Sequence, residues 1–315
     1  MRTGDLSRRP DFYIVGAPKC GTTALFRHLG RHPDIFVPAL KEPQFFGDDL
    51  HWLNATRFTV EQYLSLFGGA GETQCVGEGS TTYLQSESAP TEIKAFTPDA
   101  RIIIMLREPV AVMHAYHGEM VAGGFEPIGD FAAALEAEAD RREGRRLPKA
   151  TGGIRECLYY RRVTSFAAQV ERYYAVFGRA RVRVILFDDW VKDADQVYAE
   201  TLTFLGVDPS FAPSLTRENP SRRTRSASIQ RFLAEPPEYL RRVVRVIPQR
   251  TRARVVRTGL RLNTTQGNRA PIAPELHGRL VAEAADDVER LEKLLGRDLS
   301  AWRKAPEEAV GPAPA

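Results

Sequence analysis

The residues Gly16-Ala-Pro-Lys-Cys-Gly-Thr-Thr23 stand between a short apolar run, Asp11 to Val15, and a helical pattern, Thr22 to Arg31. Glycines in a strand-to-helix turn let backbone N–H groups and the helix N-terminus converge on one anion, which is the chemistry of a phosphate-cradling loop. The lysine's position sets this loop apart. A nucleoside-triphosphatase loop carries Lys directly after its last Gly, then Ser or Thr to hold magnesium; here Thr22 follows Gly21, and Lys19 lies two residues before that glycine. A cation inside the loop can reach the bridging oxygen of a phosphate-linked leaving group. Lysine is also scarce, with seven Lys against 37 Arg, so Lys19 and Lys41 stand out. Beside Lys41 is Glu42, a carboxylate suited to act as a general base. Glu78, in Gly77-Glu-Gly-Ser-Thr-Thr-Tyr83, competes for that role or is structural.

These residues need a scaffold, and the apolar pattern supplies one. Asp11 to Val15, Arg101 to Leu106 and Val182 to Phe187 read as strands, the second apolar enough for a parallel strand covered on both faces. Helical patterns at Thr22 to Arg31, Thr164 to Phe177 and Ala194 to Leu205 alternate with them. That alternation predicts an α/β fold with a central parallel sheet flanked by helices, a single domain over 11–303 with helical C-terminal additions. Arg107 ends a buried strand just before Pro109, at the carboxyl edge of the sheet where open α/β folds bind ligands.

Other segments read as surface. Arg141 to Gly153 is charged and Gly-containing, a loop or lid, and His114 and His117 read as helix-surface histidines. Tyr239 to Arg261 carries eight Arg among Leu, Val and Ile and reads as a basic helical insertion: either a solvated scaffold or a dock for an anionic membrane or acidic carrier protein. Pro271 to Trp302 reads as a long amphipathic helix closed by a short apolar segment; 1–10 and 304–315 read as flexible ends. With 315 residues and 43% hydrophobic content the chain can bury a large core. A formal charge of +4 calls for no nucleic-acid partner. Cys20, Cys75 and Cys157 form no paired framework, which fits a reducing, cytoplasmic setting without a disulfide or zinc site.

Five segments in order carry a resemblance. Pro18-Lys-Cys-Gly-Thr-Thr23 is similar to the 5′-phosphosulfate loop of sulfotransferases that use 3′-phosphoadenosine 5′-phosphosulfate, and Lys41-Glu-Pro-Gln-Phe-Phe46 resembles a segment of their bacterial and carbohydrate (heparan sulfate) branches. Leu106-Arg-Glu-Pro-Val110 resembles the 3′-phosphate motif, and Phe204-Leu-Gly-Val207 and Leu295-Gly-Arg-Asp-Leu-Ser-Ala-Trp302 resemble later landmarks. The resemblance implies a metal-independent enzyme moving a sulfuryl group from that nucleotide to a hydroxyl of a small molecule or carbohydrate. Pro18, Lys19, Cys20, Gly21, Thr22 and Thr23 would hold the donor's 5′ end, and Arg107 its 3′-phosphate. Glu42 would take the acceptor's proton, with Lys19 and Lys41 stabilising the transferred group.

Two positions depart from the family pattern. The lysine that usually follows the acid of Glu78 is Gly79, and the serine expected eight residues after Arg107 is Ala115, which a small slip in register would replace by His117. Tyr159 lies where related enzymes approach the nucleotide and acceptor, and Arg222, Arg223 and Arg225 resemble a late segment that closes over the nucleotide. Two other readings stay open at this stage: a P-loop nucleotide phosphotransferase, and a non-catalytic basic protein docking through 239–261.

Overall fold

The computed structural model describes residues 8–50, 58–148, 155–211, 213, 222–224, 264–266 and 271–304. The basic stretch 239–261, Arg225 and nearly all of the expected tail lie outside the described residues. The chain groups into two compact units, Met1–Arg107 with Gln169–Pro220 and Glu108–Ala168 with Ser221–Ala315.

The first unit is built on five strands: β1 (Phe12–Gly16), β2 (Ile35–Phe36), β3 (Cys75–Gly79), β4 (Arg101–Leu106) and β5 (Val182–Leu186). They pair in the order β2-β3-β1-β4-β5, every pair parallel. β1 is buried along its whole length and β4 from Ile102 to Leu106, as their unbroken apolar sequences require. Because β1 lies between β3 on one side and β4 on the other, the chain reverses direction across the sheet at the end of β1. That switch point opens a crevice where such sheets bind ligands. β5 ends one residue earlier than its apolar run suggests: Phe187 begins a helix, with Asp188 and Asp189 in its first turn. Acidic side chains there complement the helix dipole.

Helices α1 (Thr22–Leu29), α2 (Val60–Ser65) and α3 (Ala89–Phe96) belong to this unit, as do α8 (Phe187–Lys192) and α9 (Ala194–Leu205). Two of their starts are legible as caps. Thr59 and Gln62 form a reciprocal capping box on α2, and Asp193 accepts from the Gln196 amide at the head of α9.

In the second unit, α4 (Pro109–Ala122) starts with Pro at its first position and with the Glu108 carboxylate accepting from the amides of Val110 and Ala111. It is followed by α5 (Phe131–Arg142) and α6 (Tyr160–Val163); α7 (Phe166–Phe177) then leads back into the first unit. Arg141, expected in a surface loop, instead lies in the last turn of α5 and is fully buried. Its guanidinium meets the equally buried Glu126, Nη2 2.8 Å from Oε1 and Nη1 2.7 Å from Oε2, while the Tyr160 hydroxyl donates to Oε2 at 2.7 Å. A buried charge of this kind is tolerated only when paired and hydrogen-bonded, a requirement that charge composition does not reveal. Strands β6 (Arg222–Thr224) and β7 (Thr264–Gln266) pair antiparallel in this unit, and the final helix spans Pro274–Leu295. Among the described residues no helix is long and apolar enough to cross a membrane.

Candidate active site

Every strand of the parallel sheet delivers a polar or charged segment at its carboxyl end. After β1 comes the loop to α1. Gly21 caps the helix in the left-handed region, φ 89°, and a Cβ there would press on the Phe187 ring at 3.2 Å, so glycine is required on both counts. Lys19 also sits in the left-handed region, φ 65°, a conformation that non-glycine residues adopt at functional turns. The amide of Ala17 donates to Met105 O at 2.7 Å, tying the loop to β4. No side chain caps α1, so the amides of its first turn are not taken up by a capping group, and the Thr22 side chain is buried while Thr23 is half-exposed. Cys20 is buried, and burial raises its thiol pKa far above the ordinary value, so it serves packing rather than nucleophilic chemistry.

Arg107 follows β4. Its guanidinium lies over the Phe187 ring, 4.7 Å from the centroid, and no ion pair holds it among the described residues. A stacked, unpaired guanidinium presents its planar fork to a phosphate. The neighbouring Glu108 does not compete for it, because that carboxylate is committed to capping α4.

The segment after β2 wraps onto the end of β3. Glu42 and Gln44 both take left-handed φ, 63° and 51°, and the neighbouring backbone holds them there. The Glu42 amide donates to Gly79 O at 2.9 Å, and the Gln44 amide to Ser80 Oγ at 3.1 Å. The amides of Phe45 and Phe46 donate to the Tyr83 hydroxyl at 2.9 and 3.3 Å. The Glu42 carboxylate accepts from the Thr81 amide at 2.7 Å and its hydroxyl at 3.1 Å, and pairs with Lys41. Its side chain is 31% exposed, so an acceptor can reach it.

Gly79 stands where the resemblance leads one to expect a lysine. A Cβ there would lie 3.0 Å from Phe26 and 3.6 Å from Lys41 Cε. The Lys41 stem therefore covers the spot that a side chain at 79 would enter, and the cation arrives from a different strand end. A half-open cavity of about 300 Å³ adjoins Lys41, lined by Thr23, Phe26 and Arg27 of α1 and by Val37 and Pro38.

Glu78 points to the opposite face of β3 and is fully buried. Its Oε2 accepts from the hydroxyls of Tyr63 and Tyr83, each at 3.0 Å. Burial raises its pKa to about 7, against the opposing hydrogen bonds of Ser80, Tyr63 and Tyr83. A fully buried acid is poorly placed to take a proton from an incoming acceptor, which leaves Glu42 as the accessible carboxylate of the two.

The remaining candidates belong to the second unit. Ala115 is buried within α4. His117, expected either at the helix surface or in the missing serine's place, is buried, and its Nε2 lies 2.9 Å from Ile128 O; burial holds its pKa below the usual histidine value. That ring nitrogen is thus engaged within the unit. Tyr159 is largely buried, with the Arg142 guanidinium 5.7 Å from its ring centroid. Arg222 and Arg223 lie on β6, paired in register with Gln266 and Thr265.

Phe187, Thr81 and Tyr83 were missed by the sequence reading. The Thr and Tyr lie in the segment already singled out for Glu78, and only their cross-loop bonds show what they do. Among the described residues no cluster of three His, Cys, Asp or Glu could hold a metal ion.

Comparison with known proteins gives this geometry a context. Residues 9–232 match the family model described as a sulfotransferase domain. The chain belongs to the sulfotransferase-domain family. A solved sulfotransferase from Alicyclobacillus acidocaldarius is 32% identical, with a TM-score of 0.70, covering 94% of this chain and 100% of that one. Human carbohydrate sulfotransferase 15 is 25% identical over 258 residues, 64% of this chain and 44% of that protein. The bifunctional heparan sulfate N-deacetylase/N-sulfotransferase 1 of Caenorhabditis elegans is 32% identical over 136 residues, 42% of this chain and 15% of that protein. This sulfotransferase-domain chain thus spans less than half the length of these animal relatives.

Proposed function

We propose that the chain transfers a sulfuryl group from 3′-phosphoadenosine 5′-phosphosulfate to a hydroxyl of a small molecule or carbohydrate, without a metal. The observation that carries this reading is the loop at 41–46, where a carboxylate reachable by an acceptor is locked beside an ammonium group at the edge of a phosphate-cradling sheet. The uncapped α1 terminus and Lys19 suit the donor's 5′ end, and Arg107 suits its 3′-phosphate. In the reaction the acceptor oxygen bonds to sulfur as the bond from sulfur to the phosphate oxygen breaks. Glu42 takes the acceptor's proton, and 3′-phosphoadenosine 5′-phosphate leaves with the bonding electrons. Charge grows on that leaving oxygen, and a cation held in the loop stabilises it; loss of one such interaction typically lowers turnover by about 10² to 10³.

Support for the acceptor class comes from the carbohydrate and heparan sulfate relatives, and the cavity beside Lys41 is a candidate place for its body. The test has two parts. 3′-Phosphoadenosine 5′-phosphate without magnesium should raise the melting temperature, since a ligand bound only by the native state stabilises it. Incubating a metabolite extract with sulfate donor should then yield a sulfated product by mass spectrometry, lost in Glu42→Gln. Stabilisation by ATP with magnesium alone would transfer the site to phosphoryl chemistry.

A further inference from the structure

We propose that Glu78 is a positioning residue: through the Tyr83 hydroxyl it holds the 42–46 segment, and with it Glu42, in the reactive arrangement. The proposal rests on the sulfotransferase reading for its consequence but on hydrogen bonds alone for its cause.

The relay is directional. Tyr83 is fully buried, and its hydroxyl has one proton to give. That proton goes to Glu78 Oε2 at 3.0 Å, which turns the phenol oxygen's lone pairs toward the amides of Phe45 and Phe46 at 2.9 and 3.3 Å. Without an acceptor at position 78 the hydroxyl has no reason to point inward, and its proton would compete with the two amides for the same space. Tyr83 is itself fixed from behind, since the Tyr173 hydroxyl donates to its carbonyl at 2.9 Å. Phe45 and Phe46 are held in the same aromatic cluster, the Phe45 ring stacked on Tyr63 at 4.1 Å and Phe46 edge-on to Tyr83 at 5.8 Å.

The need for such a device follows from the backbone it restrains. Two non-glycine residues of this segment, Glu42 and Gln44, occupy the left-handed region, which persists only where the surroundings over-determine it. Four amides of the segment are received by β3 and the turn after it: Gly79 takes one, Ser80 one and Tyr83 two. Two of these receivers, Ser80 and Tyr83, are hydroxyls whose own proton must go elsewhere, and both are hydrogen-bonded to Glu78; Tyr83 carries two of the four amides. This also accounts for an acid that is fully buried beneath a site whose exposed carboxylate is Glu42.

The experiment compares Tyr83→Phe, Glu78→Gln and Glu78→Leu with the unaltered chain. Deuterium exchange is followed in the peptide spanning 41–47, and turnover with labelled sulfate donor is measured using a metabolite extract as acceptor pool. Losing one or two neutral hydrogen bonds should speed exchange and lower kcat by about tenfold in Tyr83→Phe and Glu78→Leu, with KM for the donor nearly unchanged. Glu78→Gln keeps a carbonyl acceptor for the Tyr83 proton and should restore both readouts to near the unaltered values. Combining Glu78→Leu with Tyr83→Phe should add little to either alone, because both break one relay. Unchanged exchange in Tyr83→Phe overturns the proposal. So does a Glu78→Gln variant as inactive as Glu42→Gln with normal exchange, which would make Glu78 the base. If the unaltered chain transfers no sulfate at all, the functional reading fails, and the exchange arm still decides the relay.

Discussion

Replacing Glu78 by Gln should change how stability depends on pH, and the sign follows from burial. The folded chain holds the Glu78 proton up to a pH of about 7, whereas the unfolded chain releases it near the ordinary glutamate value of 4.5. A carboxyl whose folded pKa is raised stabilises the native state most below the unfolded pKa, and that contribution is lost as pH rises through the folded one. The shift from 4.5 to about 7 corresponds to roughly 3 kcal/mol in full, of which about 2.5 kcal/mol falls between about pH 5 and pH 8. Glutamine has no proton to lose, so any fixed difference in its packing is the same at every pH. Urea unfolding of both proteins across that range is the assay. The Gln variant should gain on the unaltered chain by about 2.5 kcal/mol as pH rises, with little further change above pH 8. Parallel stability profiles would refute the reasoning, because they would mean that Glu78 is already ionised in the native state at pH 5.

Three further outcomes are expected. Arg141→Leu should destabilise by about 3 to 5 kcal/mol in thermal or urea unfolding, since it strands the buried Glu126 charge, and adding Glu126→Leu should recover much of the loss. Gly77→Ala should destabilise by about 1 to 3 kcal/mol, because a Cβ there runs into the fully buried Phe12 ring across the strand pair. Phe187→Leu removes the ring under the Arg107 guanidinium and should weaken 3′-phosphoadenosine 5′-phosphate binding several-fold by calorimetry, with Arg107→Ala weaker still.

Three of the five strands were readable because their signals are local, whereas β2 is two residues long and β3 has glycines and an acid in place of an apolar run. Unbroken apolar runs at Phe12–Gly16 and Arg101–Leu106 demand burial on both faces, and the Gly-containing turn before Thr22 demands a strand-to-helix junction. Ala194–Leu205 emerges as read, bounded by the Asp193 cap and by Gly206 in the left-handed region. Where the reading failed, the deciding partner was distant in sequence. Arg141 looks like the start of a solvated loop until Glu126 and Tyr160 converge on it. His117 looks like a helix-surface residue until the Ile128 carbonyl covers its ring nitrogen.

The candidate site divides along the same line. Lys19 and Arg107 could be picked out by residue type and by their place after predicted strands, and Glu42 by its place beside a scarce lysine in a segment that resembles the family's, since these properties are written along the chain. Their division of labour could not. Whether Glu42 or Glu78 is open to an acceptor depends on what packs around each carboxyl group, and whether Lys41 can cover Gly79 depends on the path of a loop from another strand. Sequence alone determined the parallel α/β class, the strands β1, β4 and β5 and the residue types that follow them, because periodicity and turn chemistry act over a few residues. Tertiary structure alone decided which carboxylate is buried and which exposed, because burial is set by everything that packs around a group.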